Sequence, residues 1–204
     1  MIEEIALNFI TKSDNDFENF LKSQNLIKVV KEILSTYVSD KNSSFLREMV
    51  SCHIAGYKHS TEKLGYDGYK EKLPCEIKPQ NVDRDSKRRL NLGGSFSDFT
   101  WKKFNKCSID KLNMIMSGFV DGKLIYIITF PFNCEEFKNH LLKQLNKKLP
   151  NGDISNEYIR SCSWSFIHIK NENLSLEYLS SDYIKYRKNM TKKLFDFIQE
   201  KNSK

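Results

Sequence analysis

Three side chains in the stretch Gly65-Tyr-Asp-Gly-Tyr-Lys-Glu-Lys-Leu-Pro-Cys-Glu-Ile-Lys-Pro-Gln80 have the types and spacing to act together: Asp67, Glu76 and Lys78. Pro74 and Pro79 bracket Cys75-Glu76-Ile77-Lys78. Side chains on a strand alternate between its faces, so Glu76 and Lys78 are expected on one face and Cys75 and Ile77 on the other. Cys75 and Ile77 suit a core. The residues after Asp67 supply a turn, and a short hairpin would set Asp67 beside Glu76. Adjacent carboxylates repel unless a cation lies between them. Mg²⁺ suits such hard oxygen ligands, and the Ile77 carbonyl could add one more. Lys78 would then stand next to a metal-bound water, where it can orient or activate the water and steady charge on a phosphate. The chemistry this points to is in-line hydrolysis of a phosphodiester.

The pattern of Asp67, eight intervening residues, then Glu76-Ile77-Lys78 resembles the signature of the PD-(D/E)XK nuclease superfamily. Tyr66 replaces the proline that often precedes the first aspartate. Gly65-Tyr-Asp-Gly68 followed by Cys-Glu-Ile-Lys-Pro-Gln looks most like type II restriction endonucleases, over roughly residues 45–105. The resemblance implies a restriction-endonuclease-like core, an α/β (α+β) fold with a mixed central sheet flanked by helices. It implies Asp67, Glu76 and the Ile77 carbonyl as Mg²⁺ ligands, with Lys78 handling the water. It also implies a further glutamate from a preceding helix: Glu48, with Glu62 as second choice.

Basic residues follow at once. Arg84, Lys87, Arg88 and Arg89, with Lys102, Lys103 and Lys106, could grip phosphates, and Ser95, Ser97 and Thr100 add short hydroxyl donors. The formal net charge is +7, with a pI near 9.0, which favours a polyanionic partner. The competing reading for any single lysine is an ordinary solvated loop. Trp101 and Phe104 read as core anchors, and Tyr66 and Tyr69 as packing groups. Gln80 either bonds near the site or ends the strand.

Other chemistries find less support. The five cysteines stand apart at 52, 75, 107, 134 and 162, without the clustering a structural zinc site needs, and read as reduced, mostly buried thiols. His168-Ile-Lys170 begins a phospholipase-D-type motif, but Ser175 stands where its aspartate belongs. No Walker-type phosphate loop occurs. Cysteine–histidine nucleophile pairs have no local signature. Acidic residues at the N-terminus and the lack of a long apolar run argue against export and membrane insertion, so a soluble, cytoplasmic protein is expected.

The elements that must hold these residues follow from periodicity. Residues 1–55 read as helical: one helix buries Leu26, Ile27, Val29, Val30, Ile33, Leu34, Tyr37 and Val38. A second begins after Asn42-Ser43-Ser44, buries Phe45, Leu46, Met49, Val50 and Ile54, and carries Glu48 at the flank of that face. From Gly56 to Pro79 the chain is turn-punctuated and strand-like. Gly93-Gly94 opens a loose turn before a short helix through Trp101 and Phe104. Asp121-Gly122 between two apolar runs marks a hairpin over 112–131. A helix at about 134–147, strands at 158–169 and 174–179, and a final helix at about 181–200 burying Ile184, Met190, Leu194, Phe197 and Ile198 complete one domain over 1–204. The leading expectation is a restriction endonuclease that cuts double-stranded DNA as a homodimer. The alternatives are a repair, recombination or phage-defence nuclease of the same fold and a non-catalytic basic nucleic-acid-binding module.

Overall fold

A computed structural model describes residues 14–22, 27–28, 30–31, 34, 45–60, 65–153 and 157–203. The chain divides into two compact units, Met1–Ser43 and Ser44–Lys204. In the first unit, helix α1 spans Asp14–Lys22. Ile27, Lys28, Val30, Lys31 and Leu34 are also helical.

The second unit is mixed α/β. In chain order it contains α2 (Phe45–Ile54), β1 (Lys58–His59), β2 (Gly68–Lys70), β3 (Leu73–Val82), β4 (Gly94–Phe99) and α3 (Trp101–Ile109). There follow β5 (Asn113–Val120), β6 (Lys123–Pro131), α4 (Glu135–Lys148), β7 (Ile159–Trp164), β8 (Ser175–Leu179) and α5 (Lys192–Asn202). Six strands form a central sheet in the order β1-β2-β3-β5-β6-β8. Only β3 and β5 run parallel, from Cys75↔Asn113 to Val82↔Val120; the other pairs are antiparallel. A parallel pair needs a crossover, and the segment holding β4 and α3 supplies it. β4 leaves the sheet and pairs antiparallel with β7.

Side-chain alternation sorts the core. Cys75, Ile77, Ile115 and Ile127 meet Cys52 of α2 on one face. Met114, Met116, Ile128 and Phe130 face the larger core on the other, where Phe96, Phe104, Phe132 and Phe137 lie. β5 and β6, covered on both faces, are accordingly almost continuously apolar. Asp121 (φ 49°) and Gly122 (φ 72°) make the two-residue turn between them, the positive-φ pair that matches strand twist. All five cysteines are buried thiols. Among the described residues no helix is long and apolar enough to cross a membrane.

Four sequence expectations need correction. Helix α2 turns inward not Phe45, Met49 and Ile54, which are exposed, but Arg47, Ser51 and Cys52. Small side chains let the helix approach the sheet closely: Ser51 Oγ donates to the Arg47 carbonyl at 2.6 Å and lies 2.7 Å from Ser117 Oγ on β5. Ile27, Val30 and Leu34, expected to be buried, are exposed; Leu26, Val29, Ile33, Tyr37 and Val38 lie outside the described residues. Residues 94–99 are a strand, because β7 offers Gly94–Phe99 a ladder. The expected helix over 181–200 is split into a 3₁₀ segment, Tyr183–Asn189, and α5. Met190 is extended there, bridged in parallel to Leu90, so helical bonding cannot run through it. The tighter turn leaves Ile184 exposed.

Candidate active site

The β2–β3 hairpin brings Asp67 to Glu76. Strand pairing runs from Lys70↔Leu73 to Gly68↔Cys75, and the Asp67 N–H extends it by donating to the Cys75 carbonyl at 3.1 Å. There the backbones part. The next donor on β3, the Ile77 N–H, is met not by backbone but by Asp67 Oδ2 at 2.6 Å. The Asp67 carbonyl in turn accepts from the Ser60 N–H at 2.8 Å. Asp67 is therefore fixed by both main-chain and side-chain bonds at the fork where β2 leaves β3.

Gly68 makes that fork possible. A Cβ there would lie 2.6 Å from Cys52 Sγ and 2.8 Å from the Lys58 carbonyl. Any side chain would push α2 off the hairpin, and α2 carries Glu48 in its first turn.

Glu76 and Lys78 share one face of β3, as alternation requires, and Lys78 Nζ contacts Glu76 Oε1 at 2.5 Å. Both side chains are largely buried, with 14% of Glu76 and 26% of Lys78 exposed. The ammonium also lies 5.9 Å from the Phe96 ring centre. Burial, and then the neighbouring Glu76 charge, push Asp67 up to about 6. The Ile77 N–H and the Lys78 ammonium pull against that shift, and Glu48 adds a smaller upward push.

These donors fit a divalent cation of the Mg²⁺ type. Burial first and the Glu76 charge second disfavour the ionised form of Asp67, a mismatch that a bound cation relieves. Mg²⁺ is commonly held by one or two carboxylates, with water and substrate phosphate completing its octahedron. No group of three or more His, Cys, Asp or Glu side chains among the described residues is gathered to hold a metal ion. The fit is thus to Asp67 and Glu76, with the Ile77 carbonyl available. Glu48 is near enough to act on Asp67 electrostatically without forming such a cluster with it. Glu62 lies outside the described residues.

Cysteine chemistry is disfavoured. Burial pushes the thiols of Cys52 and Cys75 upward and those of Cys107, Cys134 and Cys162 up to about 11. A thiol held protonated is a poor nucleophile. His140 and His168 stack on each other with ring centres 3.4 Å apart.

A pocket of about 400 Å³ opens beside Glu76, lined by Tyr66, Tyr69, Lys103, Lys106 and Cys107. Tyr66 is more than packing: its hydroxyl donates to Asp110 Oδ2 at 2.9 Å, and Lys106 Nζ lies 4.5 Å from its ring centre. Asp110 was not distinguishable in the sequence from other surface acids. Helix α3 presents Lys103 and Lys106 here because its N-terminus is well anchored. Thr100 Oγ1 accepts from the Lys103 N–H, and the Asp153 carboxylate accepts from the N–H groups of Trp101 and Lys102. Trp101 also donates from Nε1 to the Leu149 carbonyl, the anchoring role its type suggested.

The other residues expected to touch DNA fall in three places. Ser95 and Ser97 lie on β4, paired with Ser163 and Ser161. Lys102 is exposed on α3. Arg84, Lys87, Arg88 and Arg89 are exposed in the loop after β3. Arg84 is committed to Asp121, through its backbone N–H at 2.9 Å and its Nε at 3.5 Å. Gln80 joins the strand to that loop's return: it donates to the Gly93 carbonyl and accepts from the Asn91 N–H. No protein-family model matches the sequence, and no curated protein matches it.

Proposed function

We propose that this protein is a Mg²⁺-dependent endonuclease of the PD-(D/E)XK, type II restriction-endonuclease-like kind, acting on double-stranded DNA in the cytoplasm as a homodimer. One observation carries the reading: the β2–β3 register sets Asp67 across the fork from Glu76, with the Asp67 carboxylate on the Ile77 N–H and Lys78 against Glu76. The mixed sheet flanked by helices supports it, as does a helix that carries Glu48 towards Asp67. Asp67 and Glu76 would hold Mg²⁺, and the Ile77 carbonyl would add an oxygen. The ion supplies Lewis-acid stabilisation of the phosphate and a more acidic water. Lys78, paired to Glu76 in this structure, would orient the attacking water and stabilise charge on the scissile phosphate. Two-fold symmetry would match a palindromic site and allow both strands to be cut.

A second reading keeps the fold and changes the substrate: a repair or phage-defence nuclease for structured or single-stranded DNA. The pocket lined by Tyr66 and Tyr69 favours it, since an aromatic wall suits an unpaired base.

The test is incubation of purified protein with plasmid and Mg²⁺. Discrete fragments support restriction, and random or branch-specific cutting supports the second reading. If the wild type cuts and Lys78→Ala and Asp67→Ala cut equally well, the assigned site is wrong.

A further inference from the structure

A second concentration of charge lies away from Glu76. Leu90, at the end of the basic loop, donates its N–H to the Asn189 carbonyl at 2.7 Å and accepts from the Thr191 N–H at 2.9 Å. The buried Asn189 side chain donates to the Arg84 carbonyl at 2.8 Å. These bonds bind the loop after β3 to the segment between Tyr183 and α5. They bring Arg89 together with Lys185, Arg187, Lys188 and Lys192 around a cleft of about 580 Å³.

The charges there are unevenly matched. Lys185 pairs with Asp182 at 2.9 Å, Lys188 with Asp85 at 3.5 Å and Lys192 with Asp196 at 2.6 Å. Arg89 and Arg187 have no carboxylate within ion-pair distance among the described residues. The Arg187 guanidinium is instead 5.4 Å from the Phe195 ring centre. Stacking of that kind holds a guanidinium while leaving its N–H fork free, and that fork matches two phosphate oxygens.

The position of the cleft relative to β3 suits a duplex. Gln80 shares the Glu76–Lys78 face of β3 and bonds to Asn91 and Gly93, so the loop returns along that face. Asn189 and Lys188 contact the residues just after Val82. Strands rise about 3.3 Å per residue, which puts the cleft roughly 20 Å from Glu76. At 3.4 Å per nucleotide along a duplex strand, this is about six base pairs.

We infer that the cleft between Arg89 and the 185–192 segment binds the phosphate backbone of duplex DNA about six base pairs from the bond that Asp67, Glu76 and Lys78 address. The inference rests on the nuclease reading for its register but not for its charge.

The experiment measures equilibrium binding by fluorescence anisotropy, in EDTA so that no cutting occurs. The probes are labelled duplexes of about 8 and about 24 base pairs over a range of salt. The proteins are the wild type, Arg89→Gln/Arg187→Gln, and Arg187→Lys as a control that keeps the charge. The expected result is tighter binding of the longer duplex by the wild type. The Gln variant should lose that advantage, bind about ten-fold or more weakly, and show a salt slope smaller by about two. Arg187→Lys, which keeps the charge but not the fork, should keep the wild-type salt slope while losing part of the affinity. Circular dichroism melting confirms that each variant is folded; if the Gln pair unfolds, Arg89→Gln alone replaces it, with a slope change of about one. Wild-type affinity and salt slope in the folded Gln variant would overturn the inference. So would saturable tripolyphosphate binding that the long duplex fails to displace, which would assign the cleft to a small polyphosphate. Failure of the nuclease reading appears separately, as absence of cutting by the wild type with Mg²⁺.

Discussion

The Asp67 carboxylate accepts a hydrogen bond from the Ile77 backbone N–H at 2.6 Å, and so completes the edge of β3 where β2 departs. A side chain that helps set the hairpin's geometry also feels the Glu76 charge. Structure and chemistry are coupled at this residue, and its substitution should separate them.

Asp67→Asn keeps an oxygen for the Ile77 N–H but removes the charge. The folded-state value near 6 lies above the unfolded value of 3.8, so the folded state holds its proton longer. Stability is therefore lost as pH rises between about 4 and 6, and the deficit persists above that window. At one pKa unit per about 1.4 kcal/mol, it amounts to about 2 kcal/mol after allowance for screening. Without divalent cation, Asp67→Asn should be more stable than the wild type at pH 8 and equal to it near pH 4. Urea denaturation at the two pH values checks this; a less stable variant at pH 8 would refute the electrostatic account.

Divalent cation should reverse that order. Mg²⁺ bound only by the folded state raises its stability by mass action. Millimolar Mg²⁺ should raise the melting temperature of the wild type at pH 8 by several degrees and that of Asp67→Asn by little. Equal shifts would mean that the ion binds elsewhere.

Lys78→Ala should divide binding from chemistry. Removing an ammonium from Glu76 leaves the carboxylate free for metal, so Mg²⁺ affinity by calorimetry should hold or improve. Cleavage should fall by about 10²-fold or more, the range typical of a lost charge or proton-transfer group. A large loss of Mg²⁺ affinity would contradict the assigned role.

Gly68→Ala tests the fork itself. The new methyl would meet Cys52 Sγ and the Lys58 carbonyl well inside contact distance. Overpacking of this kind costs about 1–3 kcal/mol, and displacement of Asp67 should abolish cutting. Adding Cys52→Ala relieves one of the two clashes and should restore part of the stability in urea denaturation. No recovery would place the strain on the Lys58 backbone alone.

Asp153→Ala should weaken the α3 N-terminus by about 1–2 kcal/mol, because the N–H groups of Trp101 and Lys102 lose their acceptor. Differential scanning calorimetry measures the change, and an unchanged transition would show that water or Thr100 replaces the carboxylate.

Local order was readable from the sequence wherever a short-range rule applied. The Asp121-Gly122 hairpin, the helix expected to turn Phe137, Leu141, Leu142 and Leu145 inward, of which Leu142 is only half-buried, and the opposed faces of Glu76–Lys78 and Cys75–Ile77 follow from turn chemistry and periodicity. These are decided within a few residues of chain. Rules of that range failed where a distant partner intervened. β4 exists because β7 pairs with it, and the last helix is interrupted because Met190 bridges Leu90. Helix α2 contradicts its own hydrophobic pattern because Ser51 and Cys52 are small enough to let it settle against Ser117 and Gly68.

The amino-acid sequence by itself determined which side chains could do chemistry and which face of β3 would carry them, since strand alternation needs no partner. Only the tertiary structure decided that Asp67 bonds across the fork to Ile77, that its charge meets that of Glu76, and that Arg89 shares a cleft with Arg187. Each of these joins groups separated along the chain, and long-range packing and hydrogen bonding fix such distances where local propensity cannot.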